Sequence, residues 1–575
     1  MKNIKKYILF SLIIIMIFAL SLSIVSCQKE NEVVNVNEDV TIVEESTPEG
    51  NPVPGGELTV VLPSVIDNLN PLLANNEDVI NFLGLIYESP LYIDNTGQFM
   101  PVLVESWEVD ESGKSYTFVL RKDIQFHDGH DLKSDDIIST INQIFAINND
   151  EGVVANDTVG TESQNTDSED IDNEIQDNNN DLETNTETKS RYAKYNSLIE
   201  SVKRVDDYTL TINMKKRGRE ALYFICFPVL PENYDSNNTL NGTGPYKYYD
   251  TDDKGNISVV VNDKWWKTKP YIDKIIGMPI DNLSKKIQYI QNNDIDIITT
   301  NSIASNKYRS DNVNVSDYET YYYDCLIPNL FKEDMKDINI RKAISFAVDR
   351  RQIISTVLLN RGVSSEMPVS PNFYAYNIKY KQYEFDNVAA CDLIEESGFD
   401  SKISETGNTD YNLTIDLIVP NEIGFEYRLE VARIIADNLA DVGIICNIEK
   451  LSPNDYLSRL ENNNYDLAYC SYYLGANPDI TEILGTGKSL NYGNVASSDL
   501  DAILNDCSEA VTDDEIIASY DKLQQYLSEK VPQIGLFYRR FSALYNSRIN
   551  DISIEHENTL YNTINNWYLA KIVDN

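Results

Sequence analysis

The chain has 575 residues, of which 91 are Asp or Glu and 48 are Lys or Arg, so its formal net charge at pH 7 is -43. So much negative charge disfavours contact with a phosphate backbone and argues against any nucleic-acid-binding function. With 42% apolar residues the chain can build a hydrophobic interior, and its length predicts two or three domains.

The N-terminus has the pattern of a secretory signal. A basic start precedes an almost wholly apolar stretch, residues 7–25, and the chain becomes polar directly after Cys27. Residues 24–27, IVSC, resemble the lipobox of bacterial lipoproteins, in which the cysteine is acylated and becomes the new N-terminus. This resemblance implies a signal peptide over residues 1–26 and a lipid anchor on Cys27, at the outer face of the cytoplasmic membrane. The alternative is an uncleaved anchor helix, since roughly 17 apolar residues can span a bilayer.

Residues 27–54 are polar and acidic, with prolines near their end, which predicts a flexible tether. Beyond the tether, segments with the periodicity of strands alternate with segments that have the periodicity of helices. Predicted strands cover 55–63, 116–120, 208–212, 257–261, 295–298 and 444–449, and predicted helices cover 78–87, 283–291, 338–359, 426–441 and a segment from 135 onward. This alternation favours an α/β fold with partly parallel sheets.

An acidic segment interrupts this pattern at residues 150–188. It is rich in Asn, Asp, Glu and Thr, contains no Lys or Arg, and lacks apolar periodicity. We therefore predict a disordered insertion within one domain. A cation-binding segment is the alternative, but the ligand spacing of a calcium loop is absent.

Six cysteines follow Cys27, far apart and without CxxC spacing, which argues against a zinc or redox motif. Their apolar neighbours predict buried free thiols, although an extracellular disulfide stays open. They are Cys226, Cys325, Cys391, Cys446, Cys470 and Cys507.

Several short segments resemble, in order, those of extracellular solute-binding proteins of the peptide/nickel class, which are the ligand receptors of ABC importers. They are FHDG at 126–129 with DDI at 135–137, GTGPYK at 242–247, the stretch 262–271 with its tryptophan pair and KPY, IRKAISFAVDR at 340–350, NPD at 477–479 and PQI at 532–534. The resemblance covers the chain from about residue 56 to the C-terminus, apart from the acidic insertion.

This resemblance implies an α/β, bilobed periplasmic-binding-protein-like fold of type II with the additional third domain of peptide binders. A ligand is then trapped in the cleft by closure of the lobes. In the peptide binders an extended ligand pairs with the protein backbone as an added strand. The implied division is lobe I at 55–98, 231–322 and 531–575, the additional domain at 99–230, and lobe II at 323–530.

The resemblance also indicates where the ligand lies. It implies one cleft wall with Glu77 and Trp266 and an opposite docking edge with Ser471, Tyr472, Tyr473, Leu474 and Asn477. In known oligopeptide receptors an aspartate at the position of Leu474 anchors the amino group of the peptide, and leucine cannot do so. Glu77, Asp78 or Asp479 is then a candidate for that charge, although Asp479 could instead cap a helix, and the two tyrosines could simply pack.

The three histidines give little support for metal binding. His127 and His130 form HxxH, but the Asp-Gly pair between them is typical of a turn, and the segment belongs to the family scaffold. His556 is isolated, and we predict it at the surface. Motifs of nucleotide-binding or hydrolytic enzymes are absent, so neither a cofactor nor an enzymatic activity is expected.

The sequence therefore predicts a lipid-anchored receptor that captures short peptides and delivers them to the permease subunits of an ABC importer. A receptor for nickel or another small solute is the alternative, and a cell-surface hydrolase is a remote one.

Overall fold

The computed structural model describes residues 52–66, 68–149, 190–234, 240–399, 413–554 and 556–569, which all belong to the compact unit formed by residues 51–575. The predicted signal peptide, Cys27 and the acidic insertion at 150–188 lie outside the described residues, as does most of the tether. Among the described helices, none combines the length and apolar character that a membrane span needs.

The described strands range from two to sixteen residues. In chain order they are β1 Glu57–Leu62, β2 Leu91–Ile93, β3 Phe99–Pro101, β4 Val104–Val109, β5 Ser115–Leu120, β6 Ile199–Asp206, β7 Thr209–Met214, β8 Tyr246–Thr251, β9 Ile257–Val261, β10 Lys274–Pro279, β11 Ile297–Thr300, β12 Val313–Pro328, β13 Gly362–Ser364, β14 Thr414–Pro420, β15 Ile445–Leu451, β16 Leu467–Tyr473, β17 Ile534–Asn546, β18 Ile549–Asn550 and β19 Tyr568–Leu569.

The described α-helices lie between these strands. They are α1 Glu77–Leu83, α2 Ser134–Asn149, α3 Glu220–Phe224, α4 Leu283–Gln291, α5 Glu333–Lys336, α6 Ile338–Ala347, α7 Arg350–Thr356, α8 Asn387–Glu396, α9 Tyr427–Asp441, α10 Pro453–Glu461, α11 Thr481–Leu484, α12 Ser498–Glu509 and α13 Asp513–Lys530.

The largest sheet is built around two long strands, β12 and β17, which pair antiparallel in its centre. Its strand order is β15-β14-β16-β12-β17-β11-β1-β10-β9-β8, so the strands of the N-terminal half lie on one side of the pair and those of the C-terminal half on the other. Parallel pairs, such as β1 with β10 and β14 with β15, occur in both halves. The predicted α/β fold with partly parallel sheets is therefore confirmed.

A second, four-stranded antiparallel sheet has the order β4-β5-β7-β6 and packs against helix α2. It is formed by residues 104–214, within the segment predicted as the additional domain. The alternating burial of β5, in which Tyr116, Phe118 and Leu120 point inward, is the pattern of a sheet with one covered face. The domain boundaries given above stay a prediction.

The predicted helix at 338–359 is divided in two. Val348 has an extended backbone, with ψ of 110°, and ends α6. The Asp349 side chain then accepts the amide hydrogen of Gln352 and begins α7. By contrast, α4 and β9 have the predicted bounds, and the other predicted helices and strands occur with ends shifted by a few residues.

Arg350 connects the two helices with the central sheet. Its buried guanidinium donates to the carbonyl oxygens of Gly535 at 2.7 Å, Ser345 at 3.0 Å and Tyr383 at 3.1 Å. The last residue of the family-like segment 340–350 is thus a structural residue, which explains why this segment marks the fold and not the ligand.

We expect Arg350→Met to destabilise the protein by about 3 kcal/mol, because several buried carbonyl oxygens lose their donors at once. Thermal unfolding monitored by circular dichroism measures the effect. The matched control is Arg351→Met on the same helix, whose side chain is 83% exposed and makes one ion pair with Glu384. That variant should unfold within a degree or two of wild type, since exposed ion pairs contribute roughly 0–1 kcal/mol. Equal losses in both variants would contradict the structural role of Arg350.

Candidate functional site

The predicted docking edge is the C-terminal half of β16. This strand pairs with β12 along its whole length, from Leu467 to Tyr473, but its recorded pairing with β14 stops at Ala468. The amide of Leu474 donates to Tyr321 O at 3.1 Å, on the β12 side. In an antiparallel pair, the backbone groups of successive residues point alternately toward and away from the partner strand. Those of Ser471 and Tyr473 therefore point away from β12, toward the side where β14 no longer pairs with β16. The structure thus offers a backbone edge at these two residues.

Leu474 has a different role from the one we expected. Its amide belongs to the β12–β16 ladder, and its side chain packs against a hydrophobic cluster of the C-terminal half. Tyr472 is buried, and its hydroxyl donates to Leu490 O at 3.2 Å, so the packing alternative holds for this residue. Tyr473 is 50% exposed. Asn477 lies apart from these residues, in the wall of a small cavity between α3 and α13.

Glu77 lies at the start of α1 and is exposed, and the structure brings it close to a carboxyl that the sequence analysis missed. This carboxyl belongs to Glu557, in a 3-10 turn near the C-terminus, and only 4% of the residue is exposed. Its Oε1 accepts the amide hydrogen of Tyr321 at 3.3 Å, and its carboxyl also lies close to the Tyr473 side chain. Two predicted site residues far apart in the chain, Glu77 and Tyr473, therefore meet at Glu557.

Burial, and to a lesser extent the negative charge of Glu77, raises the pKa of Glu557 to about 8. The Tyr321 amide, the nearby Tyr473 side chain and the positive charge of Arg539 act in the opposite direction. A carboxyl in this environment favours its protonated form at neutral pH unless a cation comes close.

A bulge in the central pair of strands lies beside Glu557. Glu319 pairs with Arg540 and Tyr323 pairs with Tyr538, so three residues of β12 lie opposite Arg539 alone. The Arg539 guanidinium stacks near four aromatic rings, and the residue is 4% exposed. Within the bulge, Tyr321 turns its amide to Glu557 and stacks its ring on His556 at 3.9 Å.

Trp266, the other predicted wall residue, belongs to a separate cluster. Its indole nitrogen donates to Glu88 Oε2 at 3.0 Å, and the Thr243 hydroxyl donates to the same oxygen at 3.1 Å. Arg121 and Lys267 lie over the indole ring, with 4.9 and 4.6 Å to its centre. Among the contacts of the described residues, none joins Trp266 to the β16 edge. Trp266, from the tryptophan-pair segment, and Thr243, from the GTGPYK segment, thus bond to the same buried carboxylate. These contacts support the fold.

The other two candidate carboxylates already have partners. Asp78 pairs with Lys286 at 3.2 Å, which balances its charge. Asp479 Oδ1 accepts the amide hydrogen of Thr481 at 2.9 Å and so caps the turn before α11, as its alternative assignment predicted.

The histidines also lie in structural positions. Both ring nitrogens of His127 bond to the GTGPYK turn, at 3.1 Å to Gly244 O and 3.3 Å to Gly242 N, and burial lowers its pKa to about 4. His130 stacks on Phe126. The surface position predicted for His556 is wrong, because the ring is buried between the C-terminal segment and Tyr321. Among the described residues no cluster of three or more His, Cys, Asp or Glu could hold a metal ion.

The six described cysteines are free thiols, of which Cys325 and Cys470 are buried and the other four are half-buried. The prediction of free thiols is confirmed, and full burial is confirmed for those two.

With this geometry in place, the chain can be compared with known proteins. The profile of the bacterial extracellular solute-binding proteins, family 5 (middle region), matches residues 98–491. The chain belongs to this family. This family 5 protein is thus a solute-binding receptor of the ABC-importer class, and it is not an enzyme. It has the bilobed α/β fold of type II that the resemblance implied.

Individual relatives of this family 5 receptor differ in the solute they are named for. The oligopeptide-binding protein AppA of Bacillus subtilis is 21% identical over 552 residues, which cover 91% of this chain and 93% of AppA. Heme-binding protein A of Haemophilus influenzae is 22% identical over 466 residues, covering 76% and 78% of the two chains. The crystal structure of a nickel ABC transporter protein from Bacillus halodurans superimposes with a TM-score of 0.71 at 17% identity, covering 90% and 99%.

Glu557 could not be identified from the sequence. It lies in the polar run His-Glu-Asn-Thr close to the C-terminus, which reads as an exposed turn. Its neighbours Glu77, Tyr321 and Tyr473 are 84 to 480 positions away along the chain, so no local pattern records its burial.

The raised pKa of Glu557 has a consequence for stability. Because its pKa is higher in the folded than in the unfolded state, its stabilising contribution is complete below about pH 4.5 and is lost as the pH rises through about 8. Glu557→Gln stays neutral at every pH. The ligand-free variant should therefore unfold at the same temperature as wild type at pH 4. At pH 9 it should be more stable by on the order of 1 kcal/mol or more, since one pKa unit corresponds to about 1.4 kcal/mol.

Differential scanning calorimetry of both proteins at the two pH values measures this difference. Glu482→Gln, at an exposed carboxylate paired with Lys488, is the control and should follow wild type at both. A gap between wild type and Glu557→Gln that is the same at pH 4 and pH 9 would show that the carboxyl is not strained by burial.

Proposed function

We propose that this family 5 protein is a lipid-anchored receptor that captures short peptides outside the cell and delivers them to the permease of an ABC importer. The observation that carries the peptide assignment is the backbone edge of β16 at Ser471 and Tyr473. An extended peptide presents the same alternating donors and acceptors as a strand, so it can pair with such an edge whatever its side chains. Named relatives such as the oligopeptide-binding protein AppA support this choice.

A second feature of the edge favours a hydrogen-bonding ligand. The Ser471 hydroxyl is buried and has no hydrogen-bond partner among the described residues. Buried polar groups are normally satisfied, so an unpaired hydroxyl on this edge is well suited to a ligand that brings its own donors and acceptors. A peptide does so at every residue.

Nickel and heme are the alternatives, since relatives are named for both. Both ring nitrogens of His127, the first histidine of the HxxH pair, are already bonded to the GTGPYK turn. Among the described residues this favours a peptide ligand over a metal ion.

We expect isothermal titration calorimetry to detect binding of a mixed pool of two- to five-residue peptides, and no comparable binding of nickel-histidine complexes or heme. The variant that tests the edge is Ser471→Pro. It removes one edge amide without entering the β12–β16 ladder, and proline is tolerated where a strand amide faces away from its sheet. Its affinity should fall about tenfold, the value of one hydrogen bond of roughly 1–1.5 kcal/mol, while the melting temperature stays near that of wild type.

Leu474→Pro separates ligand binding from folding. It removes the amide bonded to Tyr321, so it should lower the melting temperature whether or not a ligand is present. Peptide affinity that is unchanged in a folded Ser471→Pro protein would exclude this edge as the docking site. Binding of nickel or heme without peptide binding would overturn the peptide assignment itself.

The lipid anchor rests on residues 24–27 and is tested separately. Cys27→Ala should abolish incorporation of a fatty-acid probe and release the protein from the membrane fraction, because a lipobox directs acylation to its own cysteine. Cys391→Ala, at a half-buried thiol on α8, is the matched control and should be labelled like wild type. Labelling that survives in Cys27→Ala would mean that the segment is an ordinary signal or an anchor helix.

A further inference from the structure

The Glu557 carboxyl has one oxygen without a partner. Its Oε1 is bonded to the Tyr321 amide, whereas Oε2 is buried and has no hydrogen-bond partner among the described residues. An unsatisfied buried carboxylate oxygen is unfavourable by a few kcal/mol and is rare in native proteins. It is most simply explained by a donor that arrives with a ligand.

The charges around Glu557 identify the kind of donor. Glu77 adds a second negative charge close by, and the positive charge of Arg539, whose guanidinium lies among aromatic rings, acts in the opposite direction without forming an ion pair with Glu557. Among the described residues no lysine or arginine forms an ion pair with Glu557. A group that fits here carries a positive charge and several N–H donors in a small volume, which describes a primary ammonium.

The position of Glu557 links it to the docking edge. Its carboxyl lies close to the side chain of Tyr473, the last residue of β16, and the carbonyl oxygen of its other neighbour, Tyr321, accepts the Leu474 amide hydrogen. A strand that pairs with Ser471 and Tyr473 therefore ends next to this carboxyl. The ammonium of a bound peptide can reach it without leaving the edge.

A metal ion is a poorer fit. His556 is adjacent in sequence and its Nδ1 is also buried without a partner, but its ring is stacked on Tyr321. The described residues here do not bring three metal-ligating side chains together.

We propose that Glu557, with Glu77 beside it, is the subsite that receives the primary ammonium group of the ligand. The inference rests on the proposed peptide function and specifies which end of the peptide the protein recognises. The expected source of the ammonium is the amino terminus, and a lysine side chain is the other source with the same chemistry.

The test uses three pentapeptide libraries made of uncharged residues. One has free amino termini, the second is N-acetylated, and the third is N-acetylated with one lysine in place of its first residue. Calorimetry with the full-length protein measures each apparent affinity. Wild type should bind the free library roughly 30-fold or more tightly than the acetylated one, because acetylation removes the positive charge that pairs with the Glu557 carboxylate in a buried site. Glu557→Gln should bind the two libraries within about threefold of each other.

The matched control is Glu366→Gln. Glu366 is a second buried carboxylate with one unpartnered oxygen, Oε1, and its Oε2 accepts the amide hydrogens of Gln382 and Tyr383 far from this site. This variant should discriminate between the libraries as wild type does. If Glu557→Gln folds poorly, Glu77→Gln decides, since Glu77 is exposed; the subsite requires a three- to tenfold loss of discrimination in that variant.

The outcomes separate the inference from the proposed function. Tight binding of the lysine library by wild type, lost in Glu557→Gln, supports the subsite with a side-chain source. Discrimination that persists in Glu557→Gln, or equal binding of all three libraries by wild type, overturns the subsite while peptide binding stands. Failure of wild type to bind any library overturns the peptide function itself.

Discussion

The pairing of β12 with β17 is the interaction on which the rest of the structure depends. These strands of sixteen and thirteen residues form the centre of the largest sheet, and the strands of the two halves of the chain are added on either side. Where their register shifts, three residues of β12 face Arg539. Tyr321 lies in this bulge, and its carbonyl oxygen accepts the Leu474 amide hydrogen on the β16 side. Beyond the end of β16, the Tyr321 amide bonds with Glu557 and not with another strand. The candidate site therefore lies where β16 ends beside the irregular part of the central pair.

The buried groups of the candidate site contribute little to the stability of the ligand-free protein. Glu557 is buried beside another carboxylate, and one of its oxygens lacks a partner. Such an arrangement is unfavourable in the empty protein and becomes favourable when a cation enters, so the strain of the ligand-free state is converted into affinity. Functional sites commonly hold groups that are poorly satisfied without the ligand, because a fully satisfied site has nothing to offer it.

The residues of the family motifs have a structural role. Trp266 and Thr243, from two of the recognisable segments, both bond to the buried Glu88. His127, from a third, bonds through both ring nitrogens to the same GTGPYK turn, and Arg350 ties two helices to β17. These residues hold the scaffold together whatever solute is bound. They identify the family clearly, and for the same reason they carry little information about the ligand.

The sequence by itself determined the α/β class, most helices and strands, and the family, because these depend on periodicity within short windows and on ordered motifs. It also pointed to Glu77 and Tyr473, which the structure brings together at Glu557. Only the tertiary structure showed that Trp266 bonds to the buried Glu88, that the Leu474 amide belongs to the ladder and that His556 is buried. It also revealed Glu557, whose partners lie at residues 77, 321 and 473. Burial and charge at such a position depend on contacts between distant parts of the chain, which no local pattern of residues records.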